Sequence, residues 1–122
     1  MKLELETVTG AYQIQRYDTN SITINDQVCT SSLILMPQHL SAWAVKDFAS
    51  LTEAHFAALI PLKPEVVLLG TGTKIRFPAP ELLVPLINQG IGVEVMNTPA
   101  ACRTYNVLMS EERAVVAALL FD

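Results

Sequence analysis

The sequence predicts a single α/β domain on a mixed β-sheet, with an antiparallel β region toward its N-terminus. Three observations carry that expectation. Residues 12–36 are rich in β-branched and aromatic residues; residues 66–69, Val-Val-Leu-Leu, form a short continuous apolar run; and beyond it strand-like and helix-like segments alternate. At 122 residues the chain has the size that one hydrophobic core serves, and no linker, repeat or low-complexity segment divides it, so one domain over 1–122 is expected.

The elements follow in order. Residues 12–17 and 21–24 read as strands around the turn formers Asp18, Thr19 and Asn20. A third strand is expected over residues 28–36, ending before Pro37, which cannot donate to a ladder. Residues 37–50, which hold Trp43, have weak periodicity and read as a crossing segment. Thr52 is placed to cap a short helix with Phe56, Leu59 and Ile60 on its apolar side, stopping near Pro61. The run at 66–69 suits a strand covered on both faces, and Gly70, Thr71, Gly72 and Thr73 are expected to break it. Residues 80–89 read as a helix between Pro80 and Gly90, with Pro85 tolerable only near the first turn. Residues 92–96 read as a strand. Thr98 as N-cap followed by Pro99 opens a helix that runs to Met109, and residues 115–120 form the last strand. Two strand–helix pairs, each needing a crossover, make parallel members of the sheet the expected result.

Composition excludes several classes. The hydrophobic fraction of 51% and mean hydropathy of +0.36 are high, yet the longest uninterrupted apolar run, residues 114–121, is far short of the roughly 20 residues a spanning helix needs. A net charge of −4, with Lys74, Arg76, Arg103 and Arg113 dispersed, argues against a nucleic-acid partner. The acidic start, with Glu4 and Glu6, resembles neither a secretory signal nor a transit peptide, so a cytoplasmic location is expected. Cys29 and Cys102 are expected to be free thiols, and two histidines with two scattered cysteines make no metal-ligand cluster.

The segments Leu68-Leu69-Gly70-Thr71-Gly72, Phe77-Pro78 and the run from Gly90 to Leu108, followed by Glu112-Arg113 and Ala117-Ala118-Leu119, are distinctive. Together with Ser21-Ile22-Thr23-Ile24-Asn25 and Leu33-Ile34-Leu35-Met36-Pro37, they resemble a small Mth-domain family of unknown function. That family includes uncharacterised bacterial proteins, the adipogenesis-associated Mth-domain protein and mitochondrial NADH dehydrogenase alpha-subcomplex assembly factor three. The resemblance covers nearly the whole chain. It implies a three-layer α/β fold around a central mixed sheet and, through the mitochondrial member, a role in protein assembly. It implies no reaction.

Two segments carry polar chemistry. Gly70, Thr71, Gly72, Thr73 and Lys74 invite an anion nest, because glycine lets a ligand approach the backbone, but the segment has neither P-loop spacing nor a dinucleotide fingerprint. The alternative there is a tight turn. Asn97 and Thr98 precede a helix whose first N–H groups, at residues 98–101, are expected to be unpaired and to attract a carboxylate or phosphate, with Arg103 as a bidentate donor and Asn106 a turn further on. The alternative makes Thr98 an ordinary cap, Cys102 a buried hydrophobe and Arg103 a clamp on loop carbonyls. Cys102 lacks a base, since His39 and His55 both lie in the preceding half, so no catalytic residue is assigned.

These readings combine into a non-enzymatic binding or assembly-type protein with a protein partner, no cofactor and no metal. The useful surface would lie where the Gly70, Thr71, Gly72, Thr73 loop meets the helix start at Asn97, Thr98, Arg103 and Asn106. The alternative is a small-anion or metabolite binder, or a small enzyme, in that same crevice at the carboxyl ends of parallel strands.

Overall fold

The computed structural model describes residues 11–122, so the acidic start at residues 1–6 lies outside the described residues. β1 (Ile14–Tyr17), β2 (Ile22–Ile24) and β3 (Gln27–Cys29) form a small antiparallel sheet in that order. β4 (Leu33–Met36), β5 (His39–Ala42), β6 (Val66–Thr71), β7 (Gly92–Met96) and β8 (Val115–Leu120) form the main sheet, ordered β5-β4-β8-β6-β7. It is mixed: β6 runs parallel to both β7 and β8, while β4 is antiparallel to β5 and β8. The helices are α1 (Glu53–Ala57), α2 (Val84–Asn88) and α3 (Thr98–Ser110), with single 3-10 turns at Phe48–Ser50, Ile60–Leu62 and Pro80–Leu83.

Strand alternation divides the core in two. Leu33, Leu35, Val66, Leu68, Val115, Ala117 and Leu119 face α3 and the small sheet, where they meet Ala101, Cys102, Tyr105, Ile14, Ile22 and Ile24. The intervening Ile34, Val67, Leu69, Val116, Ala118 and Leu120 face the other way, onto Trp43, Phe56, Leu59 and Leu86. β6 and β8 are buried along their full length, as a continuous apolar run covered on both faces requires. Three layers result. α3 is tied to the small sheet by side chains reaching its backbone: Asn106 Nδ2 donates to Ile14 O at 2.7 Å, Ile14 N–H donates to Asn106 Oδ1 at 3.0 Å, and Tyr105 OH donates to Tyr12 O at 2.7 Å.

Four expectations are corrected. The strand expected over residues 28–36 is two strands in different sheets, because Val28 is 62% exposed in the small sheet whereas Leu33 and Leu35 are buried in the main one. Asn25 and Asp26, both at positive φ (46° and 70°), close the tight β2–β3 hairpin that sets this division. The crossing segment at 37–50 contains edge strand β5 and the 3-10 turn Phe48–Ser50; its Trp43 is buried, edge-on to Phe56. The helix expected over 80–89 begins as a 3-10 turn and becomes α-helical only at Val84, which puts Pro85, with no N–H, in a first turn. Gly70 and Thr71 do not break β6, which runs on through Thr71.

Leu69 is fully buried between β8, β7 and the α1 and α2 layer, so Leu69→Ala is expected to cost about 2–5 kcal/mol as the transfer and cavity terms combine. Urea denaturation measures it; a loss below about 1 kcal/mol would mean that the layer closes over the void.

Candidate functional site

The carboxyl ends of β6 and β8 arrive side by side, with Thr71 opposite Leu120, and α3 starts directly above them. Gly70 makes that approach feasible: a Cβ there would stand 2.9 Å from Leu119 Cδ2 and 3.0 Å from Thr98 Oγ1. Thr98, buried, then joins both strand ends. Its N–H donates to Gly72 O at 2.8 Å, its hydroxyl accepts from Gly72 N–H at 2.8 Å and donates to Leu120 O at 2.7 Å.

The helix cap is displaced by one residue from expectation. Asn97, not Thr98, is the N-cap, in extended backbone (φ −69°, ψ 160°), and its Oδ1 accepts from Ala100 N–H at 2.8 Å. The hydroxyl of Thr98 is instead consumed by the strand ends. The N–H groups expected to be unpaired are partnered: Thr98 by Gly72 O, Ala100 by the Asn97 side chain, Ala101 by Asn97 O, while Pro99 has none.

The glycine loop is likewise occupied from within. The Thr73 N–H donates to Asp122 Oδ1 at 2.9 Å, and its hydroxyl donates to Asp122 Oδ2. Thr71, buried, donates to Lys74 O at 2.6 Å and accepts from Arg76 N–H at 3.0 Å, which folds the loop back on itself. The turn reading of this loop therefore has a geometry: Gly72 sits at φ +98°, and a Cβ there would lie 2.1 Å from Asp122 Oδ1.

Beside these contacts lies a cleft of about 220 Å³. Tyr17, Asp18 and Thr19 of the β1–β2 turn form one wall, Gly72 and Thr73 another, and Thr98, Pro99, Leu120 and Phe121 the remainder. Of the expected site residues, the cleft thus gathers Gly72, Thr73 and Thr98. Arg103 is exposed outside the lining and donates from Nη1 to Tyr17 OH at 2.9 Å; Gly70, Thr71 and Asn97 are engaged beneath the floor; Asn106 is committed to Ile14. Sequence reasoning took Asp18 only as a turn former and missed Tyr17 and Phe121 in the lining and the Asp122 contact to Thr73. The Asp18 turn itself is as expected: Oδ1 accepts from the N–H groups of Asn20 and Ser21, both at 2.9 Å, and from the Ser21 hydroxyl at 3.2 Å, which holds its carboxyl below the usual range.

Cys102 is fully buried, and burial pushes its thiol up to about 12 despite the opposing charge of Arg103. His39 bonds Ser41, and His55 accepts the Thr52 N–H at 2.9 Å on α1, so neither serves this thiol. Among the described residues, no three His, Cys, Asp or Glu side chains gather to hold a metal. No described helix is long and apolar enough to cross a membrane.

Fold and site together define a small three-layer α/β domain whose parallel strands open onto a modest cleft. The chain belongs to the family described as protein of unknown function (DUF498/DUF598), whose model matches residues 14–120. It is 36% identical over 112 residues to NADH dehydrogenase [ubiquinone] 1 alpha subcomplex assembly factor 3 of Mus musculus, an alignment covering 90% of this chain and 60% of that protein. The chain therefore spans less than two thirds of that relative's length. A crystal structure from Bordetella parapertussis superposes with a TM-score of 0.88 at 36% identity, covering 95% of this chain and 100% of that one. A solution structure of a Mth938-like domain from Bordetella pertussis gives 0.82 at 32% identity, covering 98% and 92%. The family resemblance and the three-layer expectation both hold.

Two outcomes check this geometry. Gly72→Val is expected to lose about 1–3 kcal/mol, since it imposes a strained φ and displaces Asp122; a variant that melts like the parent would remove the tight turn. The second concerns pH. Hydrogen bonds from the Thr73 hydroxyl and N–H, with Arg76 and Lys74 nearby, hold the Asp122 carboxyl below 3.8. A lowered folded value means that this contribution is fully present above the unfolded pKa, about 4, and is lost as pH falls through the folded value. The stability difference between parent and Asp122→Asn should stay constant from about pH 5 to 8 and shrink below that. A difference that grows on acidification would contradict the Thr73 contact.

Proposed function

We propose that this chain is a non-enzymatic, protein-binding protein of the assembly type, acting on NADH dehydrogenase or a subassembly of it. The observation that carries this reading is the alignment of 90% of the chain with a protein named as an assembly factor for that enzyme. The surface is consistent with it. After Thr73 the chain leaves Ile75 and Phe77 exposed, the latter 73%, and α2 leaves Val84 and Ile87 uncovered one turn apart. Large apolar groups left in water at this density suit a protein partner better than a metabolite. The buried, unactivated Cys102 supports a role without covalent chemistry. The proposed compartment is the cytoplasm, where free thiols such as Cys29 and Cys102 stay reduced. With a net charge of −4, nucleic acid is not the proposed partner.

A photo-cross-linking residue placed at Phe77 in the organism of origin is expected to trap subunits of NADH dehydrogenase, several-fold above the same residue at exposed Gln15. Equal yields from the two sites, or adducts lacking any subunit of that enzyme, would overturn the reading.

A further inference from the structure

The cleft walled by Tyr17, Asp18, Thr73 and Phe121 has a polarity opposite to the one its glycine loop and helix start suggest. The donors of its glycine loop and helix start are spent. Gly72 N–H is taken by Thr98 Oγ1, the Thr73 N–H and hydroxyl by Asp122, and the Thr98 hydroxyl by Leu120 O. What these elements leave over is acceptor capacity: a lone pair on the Thr73 hydroxyl, and Asp18 Oδ2, since all three bonds to that carboxylate fall on Oδ1. The Tyr17 hydroxyl, which accepts from Arg103, keeps one proton to give. Among the described residues Asp18 has no salt-bridge partner; Arg103 is turned to Tyr17, and Lys74 and Arg76 act on Asp122. Leu120, Pro99 and the rings of Tyr17 and Phe121 make the remaining lining apolar and aromatic. At about 220 Å³ the cleft falls below the roughly 300–1,000 Å³ of pockets that enclose whole small molecules, and matches one extended side chain.

We infer that this cleft receives a lysine or arginine side chain of the partner protein, its apolar stem against Leu120, Pro99 and Phe121 and its charged head on Asp18 Oδ2. An apolar, aromatic-walled recess with a carboxylate that has no salt-bridge partner at its edge favours a cation on a hydrocarbon stem over an anion. The inference deepens the protein-binding reading and rests on it for the source of the side chain.

The test is a heteronuclear NMR titration of the whole chain with the capped tripeptide acetyl-Gly-Lys-Gly-amide, the same peptide carrying Nε-acetyl-lysine, the glutamate peptide and n-butylamine. The lysine peptide is expected to shift the amides of Tyr17, Thr19, Thr73 and Phe121. It should bind about threefold more tightly than the acetylated and glutamate peptides, the scale of one solvent-exposed ion pair. Asp18→Asn keeps an acceptor for the Asn20 and Ser21 N–H groups while removing the charge, and should erase that preference. Equal binding of acetylated and free lysine, shifts confined to other surfaces, or no saturable shifts overturn the inference in the parent protein, whether or not the variant folds. Butylamine binding as tightly as the peptide would overturn the protein-borne source. Because cross-linking at Phe77 reads partner capture and this titration reads cation selectivity, the failure of one is distinguishable from the failure of the other.

Discussion

The end of β6 and the first residue of α3 meet so closely that a Cβ at Gly70 would be crowded, 3.0 Å from Thr98 Oγ1 and 3.1 Å from Thr98 Cα, and the arrangement around the cleft depends on that contact. At Gly70 any larger residue would drive into Leu119 and into Thr98 itself. With the helix start this close, one buried hydroxyl reaches the chain at positions 72 and 120, so the loop after β6, the start of α3 and the end of β8 are fixed by the same side chain. A buried hydroxyl is tolerable only with its hydrogen bonds made, and that of Thr98 both donates and accepts. The parallel register of β6 and β8 is what delivers both partners at one level.

The opposite wall of the cleft is positioned from further away. Tyr17 and the turn residues Asp18 and Thr19 are carried by the small sheet, which among the described residues shares no ladder with the main one. Its placement comes from apolar packing of Ile14, Ile22 and Ile24 and from the paired bonds of Asn106 to the Ile14 backbone, with Tyr105 reaching Tyr12 beside them. Asn106 therefore contributes to the cleft without lining it. Its amide supplies a donor and an acceptor to a strand end, anchoring β1 on α3 at Ile14, and the turn that follows β1 is carried to the mouth of the main-sheet crevice. Arg103, one turn nearer the helix start, adds a contact to the same strand through Tyr17.

How much of this was legible follows from how local each cause is. The double-faced burial of β6 could be read from Val66 to Leu69, and the capped, Pro-started α3 from Asn97 to Pro99, because periodicity and cap chemistry act within a few residues. The exact cap could not: Asn97 and Thr98 are both competent caps, and the choice was made by Leu120 and Gly72, which compete for the Thr98 hydroxyl from 22 and 26 positions away. The split of residues 28–36 was hidden for a similar reason, since Thr30 and Ser31 are as compatible with a strand as with the passage between two sheets. Strand β5 carries weak alternation because His39, Leu40 and Ser41 are each only partly buried, so neither face of it is distinctly apolar. Asp122 gave no signal, as nothing near it in sequence indicates the loop that it enters.

The internal pairing of the loop and helix-start donors follows from the same non-local accounting. A glycine-rich loop and a helix start are both rich in N–H donors, and taken alone they would gather an anion. Buried donors must find partners when the chain folds, and here folding itself supplies the acceptors: Gly72 O for Thr98, the Asn97 side chain for Ala100, Thr98 Oγ1 for Gly72, and the Asp122 carboxylate for Thr73. A carboxylate in the loop satisfies its donors and also adds negative charge where an external anion would have had to come. The Asp122 carboxylate, exposed, still has acceptor capacity after taking both Thr73 donors, because a carboxylate accepts more bonds than the backbone offers it. The character of the recess is thus set by what folding leaves over, a sum over partners far apart in sequence that no local motif contains.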